Sequence, residues 1–156
     1  MSYLGGFGRP LFLYAMITQI ISIPRYRWKV KIYYAVTCYW TDEIMEQLRQ
    51  VGISGEDEEA AYENMSSCTL NNGITYSSGM LRRTVMVIAK TSSAAELFDS
   101  FFHELKHFEE QIGEICDIDQ RSEEAAYLRG GMAKTMFPKI APMLCDCCRK
   151  KHENHK

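Results

Sequence analysis

Residues 93–116 read SAAELFDSFFHELKHFEEQIGEIC, and this stretch decides the architecture. Ser93 followed three residues later by Glu96 is a capping box that opens a helix. Beyond it Leu97, Phe98, Phe101, Leu105, Phe108, Ile112 and Ile115 recur at three- and four-residue steps, which predicts a long amphipathic helix buried along one side. Gly113 lies late in that helix, a place where its end can fray or kink.

Downstream, Asp117-Ile118-Asp119-Gln120 is a short polar joint. Ser122 to Met136 then predicts a second helix, closed before Pro138 because the residue ahead of a proline disfavours helical backbone. Upstream, Ile74–Ser78 and Thr84–Lys90 read as two strands of a hairpin joined through Ser78-Gly79-Met80, with a turn at Asn71-Asn72-Gly73 ahead of them. An acidic helix is expected from Ser54 to Met65. Before it comes a helix capped by Thr41, acidic in its first turn at Asp42 and Glu43, carrying Ile44, Leu48 and Val51, and ended by Gly52. Lys29–Trp40 alternates and is rich in Val, Ile, Tyr and Thr, the signature of a strand with one buried face. The fold expected is α+β: a short antiparallel sheet packed against helices, with its domain at residues 29–140. Residues 1–28 read as an extension, since Gly5, Gly6 and Gly8 precede an apolar run from Leu11 to Ile23 broken by Thr18, Gln19 and Ser22. Residues 141–156 read as a tail rich in Cys, His and Lys.

Composition narrows the function. A chain of 156 residues with 46% hydrophobic and 24% charged residues suits one globular domain. A formal charge of −2 lacks the basic footprint of a nucleic-acid binder. The apolar run near the N-terminus is shorter than the roughly twenty residues of a bilayer span, and its flanks do not suit a secretory signal, so no firm membrane association is expected. Six cysteines are too few for a disulfide scaffold in a chain this long; reduced thiols in a cytoplasmic protein are the expectation, with Cys38, Cys68 and Cys116 as small buried hydrophobes. Cys145, Cys147, Cys148, His152 and His155 crowd together at a spacing poorly suited to a structural zinc site and read as a thiol-rich tail.

Within the long helix stands His103-Glu104-Leu105-Lys106-His107, the H-E-x-x-H pattern. Residues four apart on a helix lie one above the other, so both imidazoles can present nitrogen to one Zn2+ ion, while Glu104 projects about 100° round from His103, within reach of a water on that ion. A catalytic zinc takes a third protein ligand. Glu110 and Gly113 stand where an extended metzincin motif would need Gly and His, so the ligand is sought on the following helix. Glu123 and Glu124 are both candidates. Glu123 is favoured because Ala126 and Gly130 on its face let the two helices approach closely, with Glu124 and Asp119 as alternatives. Glu104 is the expected catalytic base.

The motif, the helical joint and the Glu123-x-x-Ala126-Tyr127-Leu128 stretch resemble the small gluzincin-type H-E-x-x-H metallopeptidases, in particular the minimal zincin-like proteins of phages and mobile elements. The likeness covers about Met80 to Phe137. It implies zinc held by His103, His107 and a downstream glutamate, Glu104 as general base, a peptide or protein substrate, and a strand ahead of the metal helix lining the cleft, the place that Thr84–Lys90 occupies. Tyr127, Arg82 and Arg83 are conceivable oxyanion donors, though packing and solvation explain them as well. The rival reading is a non-catalytic interaction protein that keeps a zincin-like fold, with or without a structural metal.

Overall fold

The computed structural model describes residues 16–68 and 73–144. Four strands form one sheet in the order β1 (Ile17–Ile23), β2 (Trp28–Val36), β4 (Arg83–Ala89) and β3 (Gly73–Ser78). Four helices cover it: α1 (Thr41–Gln50), α2 (Gly55–Ser66), α3 (Ala94–Cys116) and α4 (Glu123–Leu144). The fold is α+β, and its sheet is mixed. β1 and β3 run antiparallel to their neighbours, whereas β2 and β4 pair in parallel, so the fully antiparallel sheet expected from sequence is corrected.

The alternation of side chains across β2 and β4 builds a core on each face. Val30, Ile32, Tyr34, Met86 and Ile88 pack with Leu97, Phe101, Leu105, Phe108 and Ile112 of α3 and with Leu128, Met132, Met136 and Ile140 of α4. Tyr33, Val36, Val85 and Val87 pack with Ile44, Met45 and Leu48 of α1 and Met65 of α2. Tyr33 and Val36, three residues apart, share a face because the register slips between them, where Ala35 takes a φ of 56°. β4 is therefore buried on both sides, as a near-continuous apolar run predicts.

The domain starts earlier than residue 29. Ile17–Ile23 is an edge strand paired with β2 over its whole length. Its inward positions include Gln19 and Ile21: the Gln19 amide donates to the Thr135 carbonyl and accepts from the Tyr34 hydroxyl, so the polar residue that broke the apolar run is bonded rather than excluded. Residues 1–15, residues 69–72 with the Asn71-Asn72 part of the expected turn, and the cysteine-rich tail from Cys145 lie outside the described residues.

Ser93 caps its helix as expected, whereas Thr41 and Pro138 do not mark the ends expected of them and Ser54 opens α2 without a side-chain cap bond. The Ser93 hydroxyl accepts from the Glu96 amide, while Glu96 reaches back to Ser92. Thr41, expected as a cap, is already the first residue of α1, and its hydroxyl donates to the Cys38 carbonyl instead. α4 does not close before Pro138; it runs through Pro138 and Pro142 to Leu144. Pro138 is on the exposed side of the helix, while Met136 and Ile140 stay buried and hold the helix on the core. Gly113 neither frays nor kinks α3. A Cβ there would meet the Gln120 amide nitrogen at 1.6 Å, and the helix ends three residues later with Asp117 in the left-handed region and the Ile118 amide bonded to the Gly113 carbonyl.

Cys38 and Cys68 form a disulfide that ties the turn before α1 to the end of α2, so neither is the separate buried thiol expected; Cys116 is free and half-buried. Among the described residues no helix is long and apolar enough to cross a membrane.

Candidate active site

α3 is positioned by its apolar stripe. Leu97, Phe101, Leu105, Phe108 and Ile112 face the sheet, whereas Phe98 and Ile115, counted in that stripe from sequence, are only partly covered. This rotation turns His103 and His107 outward, over the edge of β3, and turns Glu104 inward against that strand. The two imidazole Nε2 atoms are 3.0 Å apart, and the rings meet edge to face at 4.7 Å. Two nitrogens at about 2.0–2.1 Å from a tetrahedral zinc stand about 3.3 Å apart, so this pair fits two positions of one ion with little adjustment.

Glu104 is 1% exposed. The Thr75 hydroxyl donates to its Oε2 at 2.6 Å, leaving the other oxygen for a second partner. Burial pushes the Glu104 carboxyl above its ordinary range, against the Thr75 bond and the attraction of His107 and His103, which pull it down. Close approach of the strand depends on Gly73, whose φ of 155° few side chains adopt; a Cβ there would meet the Val87 carbonyl oxygen at 1.9 Å and Glu104 Cγ at 3.0 Å.

A cleft of about 540 Å³ opens beside these residues, within the usual size of a ligand site. One wall is α2, with Asp57, Ala60, Ala61 and Asn64; the other is α3, with His103, Glu104, His107, Gln111 and Glu114; Gly73 to Ser77 of β3 run between them. The strand beside the cleft is thus β3, at the sheet edge, and not Thr84–Lys90, which is enclosed between β2 and β3. Gln111 Nε2 donates to the Thr75 carbonyl at 2.8 Å.

Glu123 is not brought to the histidines. It is exposed at the start of α4 and does not line the cleft, and among the described residues no group of three or more His, Cys, Asp or Glu side chains could hold a metal ion. Glu124 accepts from the Tyr26 hydroxyl at 2.6 Å and pairs with Arg25 at 3.0 Å, beside a separate shallow depression between β1 and α4. Burial and that bond push the Tyr26 hydroxyl up to about 12. Asp119 bonds the Arg121 amide in the joint. The cause is the seating of α4. Glu109, fully buried on α3, takes a two-pronged bond from Arg129 at 2.5 and 2.6 Å, and this pair fixes α4 against a side of α3 other than the one carrying the histidines. None of the considered oxyanion donors lines the cleft: Tyr127 is 76% exposed on α4, Arg82 stacks over Trp28, and Arg83 is exposed at the start of β4.

Sequence reasoning missed Thr75, Gln111, Glu114 and Asp57. Gln111 and Glu114 carried a signal, standing four and seven residues past His107 on the same helical face. Thr75 and Asp57 carried none, since only the folded sheet and the other helix layer bring them to α3. In comparisons with known proteins, the chain matches no family model, no curated protein and no solved structure.

Proposed function

We propose that this chain is a small zinc-dependent hydrolase, a zincin-like metallopeptidase in which His103 and His107 hold the ion and Glu104 is the general base. The observation that carries the reading is the pair of Nε2 atoms 3.0 Å apart at the rim of a cleft whose wall also contains Glu104. The fit extends to two protein ligands, and Glu123 is not assigned as a third. When bound, zinc supplies Lewis acidity and lowers the pKa of water beside it.

The residues of the chain do the rest. The helix presets both imidazoles, so little side-chain entropy is lost on binding. Thr75 holds one oxygen of Glu104, which orients the other toward the cleft to take a proton from water and return it to a leaving amine nitrogen. β3 is the sheet edge beside the cleft, and an extended peptide that pairs along it displaces Gln111 from the Thr75 carbonyl. A second reading, a non-catalytic scaffold, is favoured by one observation: Glu104 is almost wholly buried and bonded to Thr75, as a purely structural tie would be.

Elemental analysis of purified protein tests the metal, with about one zinc per chain expected and its loss in His103→Ala and His107→Ala. Cleavage of a broad mixture of unfolded proteins tests the chemistry. Zinc-loaded wild type that cuts nothing in that mixture leaves the scaffold reading.

A further inference from the structure

The free edge of β3 runs between the two helical walls of the cleft, and its carbonyls are already taken. Backbone groups of residues two apart on a strand point the same way. Gly73 and Thr75 are such a pair, and both accept from side-chain amides: Asn64 Nδ2 of α2 donates to the Gly73 carbonyl at 3.5 Å, and Gln111 Nε2 of α3 donates to the Thr75 carbonyl at 2.8 Å. One amide thus comes from each wall. A side-chain amide N–H is chemically the donor that a peptide strand would bring. Gln111 makes the closer contact, one helical turn past His107, so its bond closes the edge beside the histidines.

The closed position suits Gln111 poorly. While Nε2 is bonded, Oε1 is buried and meets no donor among the described residues. A buried acceptor without a partner offsets part of what the bond gains. Swung out of the cleft, the half-buried side chain satisfies both ends in water and leaves the Thr75 carbonyl to another donor. Thr75 cannot move aside instead, because its hydroxyl is held on Glu104 and its strand is paired along β4. The glutamine is the partner that yields.

We infer that Gln111 is a latch on the peptide-binding edge, closed on the Thr75 carbonyl in the free protein and released by a peptide that supplies a backbone N–H in its place. This latch rests on the hydrolase reading for the place of the peptide along β3, and not for its cleavage. A closed latch lowers the apparent affinity by the fraction of molecules that are open. It also makes entry conditional on a donor: a peptide without an N–H at that position leaves the Thr75 carbonyl unpaired.

The test compares metal-free wild type, Gln111→Ala and Gln111→Met, the last keeping the length of the side chain without its donor. The probes are blocked, fluorescent ten-residue peptides of Ala, Ser, Thr and Val, beside versions N-methylated at a single residue, and binding is read by anisotropy. Both variants are expected to bind about threefold to tenfold more tightly than wild type, the scale of one net hydrogen bond. N-methylation weakens binding at alternate residues only, those whose amides point to β3. The Gln111 side-chain amide resonance, identified by its loss in Gln111→Ala, moves to the position of a solvated glutamine when peptide saturates wild type. Equal or weaker binding by the variants, an unmoved resonance, indifference to N-methylation, or no binding by any of the three proteins overturns the latch. Cleavage by the zinc-loaded proteins separates the two readings. Wild type that cuts peptides no less well than Gln111→Ala overturns the latch and leaves the hydrolase reading, whereas a lower KM in the variant upholds both. Zinc-loaded proteins that cut nothing end the hydrolase reading, and tighter binding by the variants then still upholds the latch.

Discussion

In its proposed role as a base Glu104 has to be ionised, in a place that disfavours charge. Burial raises its pKa and the Thr75 hydroxyl and two imidazoles oppose that rise. The sign of the consequence follows from linkage: a carboxyl whose folded pKa lies above its unfolded value stabilises the fold at low pH, and that contribution is lost as pH rises through the folded value. Glu104→Gln keeps an acceptor for Thr75 and never ionises. In the metal-free protein its melting temperature is therefore expected to exceed wild type at neutral pH, with the gap closing below about pH 4, near the ordinary glutamate value. The same variant should keep its zinc and lose cleavage by about 10²–10⁴-fold. Glu109 poses the opposite case. It is fully buried, while Arg129 is half in water. Arg129→Ala leaves an unpaired buried carboxylate and is expected to cost about 3 kcal/mol, more than Glu109→Gln, which removes the buried charge itself; urea unfolding compares the two. The histidines and Glu104 were legible because four-residue spacing on one helix is local. Thr75, 29 residues from Glu104, and Arg129, 20 residues from Glu109, were not, because the fold alone brings those pairs together.

At the scale of elements, α2 is the least securely packed wall of the cleft. Only Ala61 and Met65 of its residues are buried, so the Cys38–Cys68 bridge supplies much of what holds it beside α1. Cys38→Ser or Cys68→Ser is expected to lower stability by about 3–4 kcal/mol, from the loop entropy of a 30-residue separation. Hydrogen exchange should show the loss of protection confined first to α2. Helices and strands were largely readable because periodicity and caps act over a few residues, and the α3 capping box and the hairpin stand as expected. Failures came where a local signal was overridden. Pro138 and Pro142 should stop a helix, but buried Met136 and Ile140 keep α4 on the core. The parallel pairing of β2 with β4 had no local signature, since no stretch of sequence states which strand will lie beside it.

For the whole molecule, whether Glu123 can join the histidines is a question of how α4 seats on α3, and the Glu109–Arg129 pair turns Glu123 away from them. Glu123→Ala is therefore expected to retain wild-type zinc content and stability, both measurable on one preparation; loss of the metal would mean that α4 re-seats on binding. The bridge between Cys38 and Cys68 bears on how this arrangement is reached. The parallel pair joins Lys29 to Arg83 across α1, α2 and β3, so the central strands meet only after a long loop closes. A bond from Cys38 to Cys68 short-circuits that loop and leaves roughly half its length to be closed, which by loop entropy alone speeds the search about threefold. When the oxidised chain refolds, the bridge thus acts before the fold exists as well as within it: a chain whose thiols are kept reduced searches longer with the apolar edges of β2 and β4 unpaired, and its losses should be to aggregation during refolding.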